Sequence, residues 1–517
     1  VKLSSLMQCK PHMILRLLQA KRRCKKENRA MLPKDLFHLK GFMVAGTDNL
    51  CYKDDLEELW GIRPMELFAG TESDTAYHMT FGGLDETAVK AYILDSTGSW
   101  VEKVENTDFT VDRTNGIINF TTAPGKSPVT GEDNVKITAY RTVSGYADRI
   151  NKCCIGTQYG LKGAMDRLFL SGNPDYINQD WFSDQNDPTY FADTYYSSLG
   201  TSKSAIMGYS VINNYLATHK DEMETDQFIV LREGVLADNK PVFRSVNTLQ
   251  GAGAIAKDTF AYLSSEPLFL TRSGVYAITA QDITGEKYGQ NRSFYLNGKL
   301  LKESDLEKSF AFVYKDMYWL CVNGVAYILD GLQPMQTDKS MPYSTRQYAG
   351  FYRTNIPANC VWEQNGALYF GTTDGRVCQF YSDSDALMSY NDDGEKIEAI
   401  WETPDLDGKL FYKNKTFRYL AVRLKSAIAT TLDIYVQKRG LWSFIKKDNY
   451  TARYLSFESI VFSKFTFSSD QTQKIIPTKL RVKKVDKARF RFVNAELNEP
   501  FGLFDIALEY VENGNHK

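Results

Sequence analysis

A chain of 517 residues is too long for one ordinary hydrophobic core, so two to four domains are expected. Its 62 basic and 63 acidic residues leave a net charge of −1, which excludes a global field directed at nucleic acid or an anionic membrane. Aromatic residues at 13% favour β structure, and only 15 prolines exclude a disordered or collagenous chain.

Residues 1–35 form a basic N-terminal arm. Val1 to Arg29 carries nine Lys or Arg and one Glu, with an apolar patch at Met13–Leu18 ahead of Lys21–Lys26. A signal peptide has its charges before the apolar core, and here the order is reversed. The arm is either a basic helix touching nucleic acid or an acidic partner, or a solvated docking arm. The chain opens on Val1, so missing upstream residues or an unusual start are expected. No apolar run reaches the ~18 residues that a membrane span needs.

Residues 36–65 carry two strands around Gly46-Thr47-Asp48-Asn49. Residues 66–145 then alternate between apolar and polar positions, as in Ala91-Tyr92-Ile93-Leu94, Phe109-Thr110-Val111 and Ile117-Ile118-Asn119-Phe120. Asn115-Gly116 lies between two such runs and predicts a hairpin, because both residues tolerate φ > 0. The segment is read as a small β-sandwich inserted into a loop, where the flanking ends already lie close together.

Residues 146–400 are organised by a repeat. FAYLSSEPLFLTRSGVYAITA from Phe260, FAFVYKDMYWLCVNGVAYILD from Phe310 and CVWEQNGALYFGTTDGRVCQF from Cys360 follow one plan. Each is an apolar run, a polar turn, a second run, a turn ending at Gly274, Gly324 or Gly375, and a third run. Strand–turn–strand–turn–strand at a period of about fifty residues predicts the blades of a β-propeller. Further blade starts near residues 206, 167 and 37 bring the count to six or seven, with residues 36–65 supplying the first propeller strands. HLKGFMVAGTDNLCY from His38 parallels YKDMYWLCVNGVAYI from Tyr314. Residues 401–517 change to long alternating runs at Phe417–Leu424, Leu432–Val436, Ile460–Phe467, Arg489–Val493 and Ile506–Val511. They predict a C-terminal β-sheet or sandwich domain that completes or flanks the propeller.

Motifs for chemistry are sparse. The five histidines (His12, His38, His78, His219, His516) have no second ligand at metal spacing, so no metal and no cofactor are expected. No nucleophile elbow, phosphate loop or dinucleotide fingerprint occurs. Gly251-Ala252-Gly253-Ala254 has no following lysine and is read as a loop. Asp175, Asp180, Asp184, Asp187 and Asp193 crowd one stretch with Trp181, Tyr190 and Phe191. Paired carboxylates with aromatic platforms suit a propeller glycoside hydrolase. The competing reading is a solvated loop whose Asn and Asp residues cap turns. The acidic run at 382–395 does not match a calcium loop and is read as a turn. Tyr195-Tyr196 and Trp442 are candidates for stacking on sugars or for a subunit interface. The eight cysteines keep no framework spacing and read as reduced thiols.

Several stretches resemble a known family. Residues 166–174 (DRLFLSGNP), running on to Trp181-Phe182-Ser183 and Asp187–Phe191, are similar to the opening blade of phage tail stabilisation, hub or nozzle proteins. Residues 204–209 with Tyr215-Leu216, residues 264–276, residues 390–403 with Lys415–Leu420, and residues 489–494 with Glu499–Leu503 follow in the same order. The resemblance covers residues 150–512 and rests on structural motifs. It implies a virion protein that is not an enzyme and offers no catalytic residues. It implies a ring, often hexameric, in contact with portal or adaptor proteins and with fibres or spikes. Genomic DNA would pass through the lumen without sequence-specific contact. The protein would reside in the virion tail, and in the host cytoplasm during assembly. The alternatives are a receptor- or carbohydrate-binding propeller and, after it, a propeller glycoside hydrolase.

Overall fold

The computed structural model describes residues 38–39, 42–43 and 65–515, the last without 129–130, 142–145, 187, 189–190, 192–194, 222–227, 238–239, 250–251, 279–289, 335–346, 373, 381–389, 425–428 and 452–473. The basic arm, the run Ile460–Phe467, and Asp187, Tyr190 and Asp193 lie outside the described residues. The chain divides into two compact units, Val1–Gln379 and Phe380–Lys517, each taken by itself. Strands dominate both. Among the described residues no helix is long and apolar enough to cross a membrane.

In the first unit, Met65–Phe68, Val135–Thr138, Lys90–Leu94 and Trp100–Lys103 form one antiparallel sheet, and Ala76–His78, Ile117–Phe120 and Phe109–Asp112 form another. One core joins them: Ala91, Val135 and Ile137 from the first meet Tyr77, Phe109, Ile118 and Phe120 from the second. The alternation of these strands is what buries one face of each sheet. The Asn-Gly hairpin differs from its expected form. Asp112 pairs with Ile117, so the loop has four residues, and only Gly116 takes a positive φ, of 67°. The Asp112 carboxylate accepts from the backbone N–H of Thr114 and of Asn115, which organises a longer turn than two residues would need.

Five meander sheets follow in chain order between Ile155 and Phe380. The first holds Ile155–Gln158, Leu168–Ser171, Gln179–Phe182 and Tyr196–Ser198. The second holds Ile206–Ile212, Tyr215–Lys220, Ile229–Ala237 and Lys240–Leu249. The third holds Ala261–Leu263, Glu266–Thr271, Gly274–Ala277 and Gln290–Asn291. The fourth holds Phe310–Tyr314, Met317–Val322, Val325–Pro334 and Tyr348–Arg353. The fifth has three strands, Ala358–Gln364, Ala367–Thr372 and Val377–Phe380. The tight turns are those the repeat requires. Both central residues have positive φ at Asn213-Asn214, Lys315-Asp316, Asn323-Gly324 and Asn365-Gly366, as a two-residue type I′ hairpin demands.

Each sheet packs on the next. Phe169 and Phe182 of the first meet Tyr209, Leu216 and Phe243 of the second. Ile212, Ala217 and Leu231 of the second meet Phe269 of the third. Leu268, Leu270 and Val275 of the third meet Tyr318, Leu320 and Leu329 of the fourth. The Tyr314 hydroxyl of the fourth donates to the Gly366 carbonyl in the fifth at 2.8 Å.

In the second unit, Ala399–Glu402, Arg489–Asn494, Ala429–Lys438 and Leu441–Thr451 form one sheet in that order. Lys474–Val485, Lys413–Leu424 and Leu503–Asn515 form the other, with Lys413–Leu424 in the middle. Phe417, Leu420 and Val422 meet Leu432, Ile434, Phe490 and Phe492 in a shared core.

Candidate functional site

The acidic stretch 173–188 is not wholly a solvated loop. Its centre is the strand Gln179–Phe182, and Asp180 has no exposed surface. Arg232, on the third strand of the second sheet, donates to both Asp180 oxygens, through Nη1 to Oδ1 at 3.2 Å and through Nη2 to Oδ2. The Tyr209 hydroxyl donates to Oδ2 at 3.0 Å. Arg232 Nη2 also donates to Thr218 Oγ1 at 2.9 Å, and the guanidinium lies 5.3 Å from the Phe169 ring centroid. Local sequence misleads here because the partner of Asp180 sits 52 residues away on another sheet. Burial would lower the Arg232 pKa, but Asp180 outweighs it and the net shift is upward. Burial, reinforced by Asp180, raises the Tyr209 hydroxyl well above its ordinary value.

The other described carboxylates of the stretch are also committed. Asp184 accepts from Arg167 Nη1 at 3.1 Å and from the Gln185 N–H at 2.7 Å. Asp175 accepts from Lys152 Nζ at 2.6 Å. The structure does not bring Asp175, Asp180 and Asp184 together around one site; each holds a different cation. Trp181 is 4% exposed and lies edge-on to Tyr176, so it presents no open platform. Phe191 is buried, and Tyr195 stacks on Phe182 at 4.8 Å while Tyr196 is exposed. Trp442 lies under the Arg491 guanidinium, 4.1 Å from its ring centroid.

Two groupings were not legible in the sequence. Glu266 and Arg292 form a second buried ion pair, with Arg292 Nη2 to Oε1 at 2.6 Å and Nε to Oε2 at 3.1 Å, and the Tyr348 hydroxyl of the fourth sheet donates to Oε2 at 2.8 Å. Ser210 Oγ and His219 Nε2 lie 2.9 Å apart on adjacent strands of the second sheet. A serine–histidine pair suggests an activated nucleophile. Both residues are sealed, however, at 1% and 0% exposure. The imidazole packs edge-on to Phe260 and Phe269, at 4.9 and 4.5 Å. Burial drives its pKa down to about 3, so it is neutral at pH 7. The pair ties two strands together and lacks access to a substrate.

Gly208 admits the Phe260 ring to this packing. A Cβ on Gly208 would fall 2.2 Å from Phe260 Cε2. Gly208→Ala is therefore expected to force the stacked Phe260–Phe269 pair apart and to destabilise the unit by roughly 1–3 kcal/mol, read as a lower urea midpoint with unchanged slope.

Among the described residues no group of three or more His, Cys, Asp or Glu is placed to hold a metal ion. Cys153, Cys154, Cys321, Cys360 and Cys378 are thiols, in no disulfide among the described residues.

No family model matches the chain, and no curated protein does. Among solved structures, it is similar to an exo-β-1,3-galactanase from Phanerochaete chrysosporium at 10% identity and a TM-score of 0.20, over 86% of this chain and 100% of that one. It is similar to a family 43 arabinoxylan arabinofuranohydrolase from Bacillus subtilis at 10% identity and a TM-score of 0.21, over 87% and 96%. It is also similar to a dihydro-heme d1 dehydrogenase at 9% identity and a TM-score of 0.26, over 72% and 80%. Scores this low carry no argument about activity. The expectation that the chain is not an enzyme is nevertheless corrected: the matched structures are themselves enzymes, and that exclusion is withdrawn.

Proposed function

We propose that the chain is a structural subunit of a tailed-phage tail, a hub or nozzle component that assembles into a ring around the DNA channel. The five meander sheets are read as blades of a β-propeller, with the pair His38–Leu39 and Phe42–Met43 belonging to a further blade. The observation that supports a scaffold role is the way neighbouring sheets are joined. Buried ion pairs and tyrosine hydroxyls span them, as Asp180–Arg232–Tyr209 and Glu266–Tyr348 do, over continuous apolar contact. Such joints favour a stiff body suited to bearing load. The resemblance supplies the tail assignment, the hexamer, and portal, adaptor, fibre or spike proteins as neighbours. Electron micrographs of the purified chain at high concentration test it. Cyclic rings are the expected result, and a uniformly monomeric field at every concentration would overturn it.

A second reading, glycan binding, has one specific observation behind it. On the sheet containing Lys90–Leu94, Lys136 Nζ sits 4.9 Å from both the Tyr92 and the Trp100 ring centroids, and Trp100 is 40% exposed. This face, rather than Trp181, is the one to test. On this reading Trp100→Ala abolishes glycan-array binding without shifting thermal stability; an array on which the unaltered chain binds nothing removes it.

A further inference from the structure

The three-stranded sheet of the second unit has two outer strands of opposite charge. Lys474–Val485 contains five basic residues and no acidic one. Leu503–Asn515 contains three acidic residues and no basic one. Among the described residues each pairs on one side only, with the middle strand Lys413–Leu424. Lys479, Arg481, Lys483 and Lys484 are exposed, and their charged ends make no ion pair or hydrogen bond among the described residues. Glu509 and Glu512 on the opposite strand are likewise unpaired, whereas Asp505 is held by Arg423 at 3.0 Å.

Register makes the two edges match. Tyr419 of the middle strand is level with Lys479 on one side and Glu509 on the other. Lys415 is level with Val485, next to Lys484, and with Glu512. Both outer strands run antiparallel to the middle one, so they are parallel to each other. If the sheet continued from one copy into the next, Leu503–Asn515 would meet Lys474–Val485 as a parallel pair, with Lys479 opposite Glu509 and Lys484 beside Glu512.

We propose that these edges join copies of this chain head to tail by continuing the sheet. Unpaired strand edges are templates for another strand, and lysine on an edge ordinarily guards against that. Here the guard is selective. Basic edge against basic edge is repelled, and basic edge against acidic edge is attracted. Two different surfaces meeting head to tail make a heterologous contact, the kind that closes into rings. The inference rests on the ring reading above and names its interface.

The test uses the full chain and two reversed variants, Lys479→Glu/Arg481→Glu/Lys483→Glu and Glu509→Lys/Glu512→Lys, in sedimentation velocity at low salt. Each variant alone is expected to self-associate about tenfold more weakly or worse. Mixed together, they are expected to regain wild-type association, because one then carries two acidic edges and the other two basic edges. Recovery on mixing also shows that both are folded. The wild-type assembly should dissociate as salt rises. Variants that associate as wild type does would overturn this interface and leave the ring reading intact. Two weakened variants that fail to recover on mixing, although each keeps the wild-type thermal midpoint, would overturn it as well. A wild-type chain that stays monomeric at every concentration would overturn both.

Discussion

Replacing Arg232 with alanine is expected to destabilise the first unit by about 3–5 kcal/mol, the usual cost of leaving one half of a buried ion pair without its partner. Asp180 has no exposed surface, and its remaining partner is the Tyr209 hydroxyl at 3.0 Å. One neutral donor cannot replace a guanidinium that reaches both oxygens. The loss should fall on the joint between the first and second sheets, because Asp180 belongs to one and Arg232 to the other. The double variant Asp180→Leu/Arg232→Met removes both charges and is expected to recover most of the stability, since the desolvation cost disappears with the pair. Urea unfolding of the three proteins checks this. A double variant as unstable as Arg232→Ala would show that the charges themselves, and not an orphaned carboxylate, hold the joint.

The second large effect is a pH dependence centred on His219. Its folded pKa lies near 3, below the ordinary value of 6.5. As pH falls below 6.5 the unfolded chain takes up a proton that the folded chain refuses. The contribution is therefore present above pH 6.5 and is lost on the way down towards 3, at up to about 1.4 kcal/mol per pH unit. His219→Leu removes this term. Unfolding of wild type and variant is compared from pH 7.5 to pH 4.5. Other titrating groups are common to both proteins and cancel in the difference. The wild type is expected to lose ground steadily as pH drops, with most of the change below pH 6. A difference that stays constant across the range would mean that the imidazole titrates in the folded protein as it does in the unfolded chain, which its sealed packing against Phe260 and Phe269 forbids.

Much of the fold was legible because its signals are local. The glycines of the repeat mark turns whose φ values are positive, at 121° for Gly274, 75° for Gly324 and 86° for Gly375. The alternation at Phe417–Leu424 and Leu432–Val436 places Phe417, Leu420, Val422, Leu432 and Ile434 in one core. The fourth strands of the first four sheets escaped notice. Lys240–Leu249 mixes polar with apolar residues, and Gln290–Asn291 is too short to show a period. The environment of Asp180 was not legible for a different reason. Asp180 looks like its neighbours Asp175 and Asp184 in sequence, and only the distant Arg232 makes it a core residue. The pairing of Ser210 with His219 depends on the register set by the Asn213-Asn214 turn, which composition does not reveal.

The meander sheets and the second unit differ in how far apart in the chain many of their paired strands lie, and this bears on the order in which they form. Within the meander sheets, neighbours such as Phe310–Tyr314 and Met317–Val322 are joined by a two-residue turn. Contacts of that kind close quickly and need nothing further along the chain. In the second unit Ala399 pairs with Asn494, and Lys413 pairs with Asn515. Its central strand cannot be flanked on both sides until residues 503–515 have been synthesised. During translation the meander sheets can therefore close one after another as they emerge, while the second unit waits. A pulse of hydrogen exchange during refolding should find the amides of Met317–Val322 protected before those of Lys413–Leu424. On this timing the opposite-charged edges come into being last, after the meander sheets have already closed.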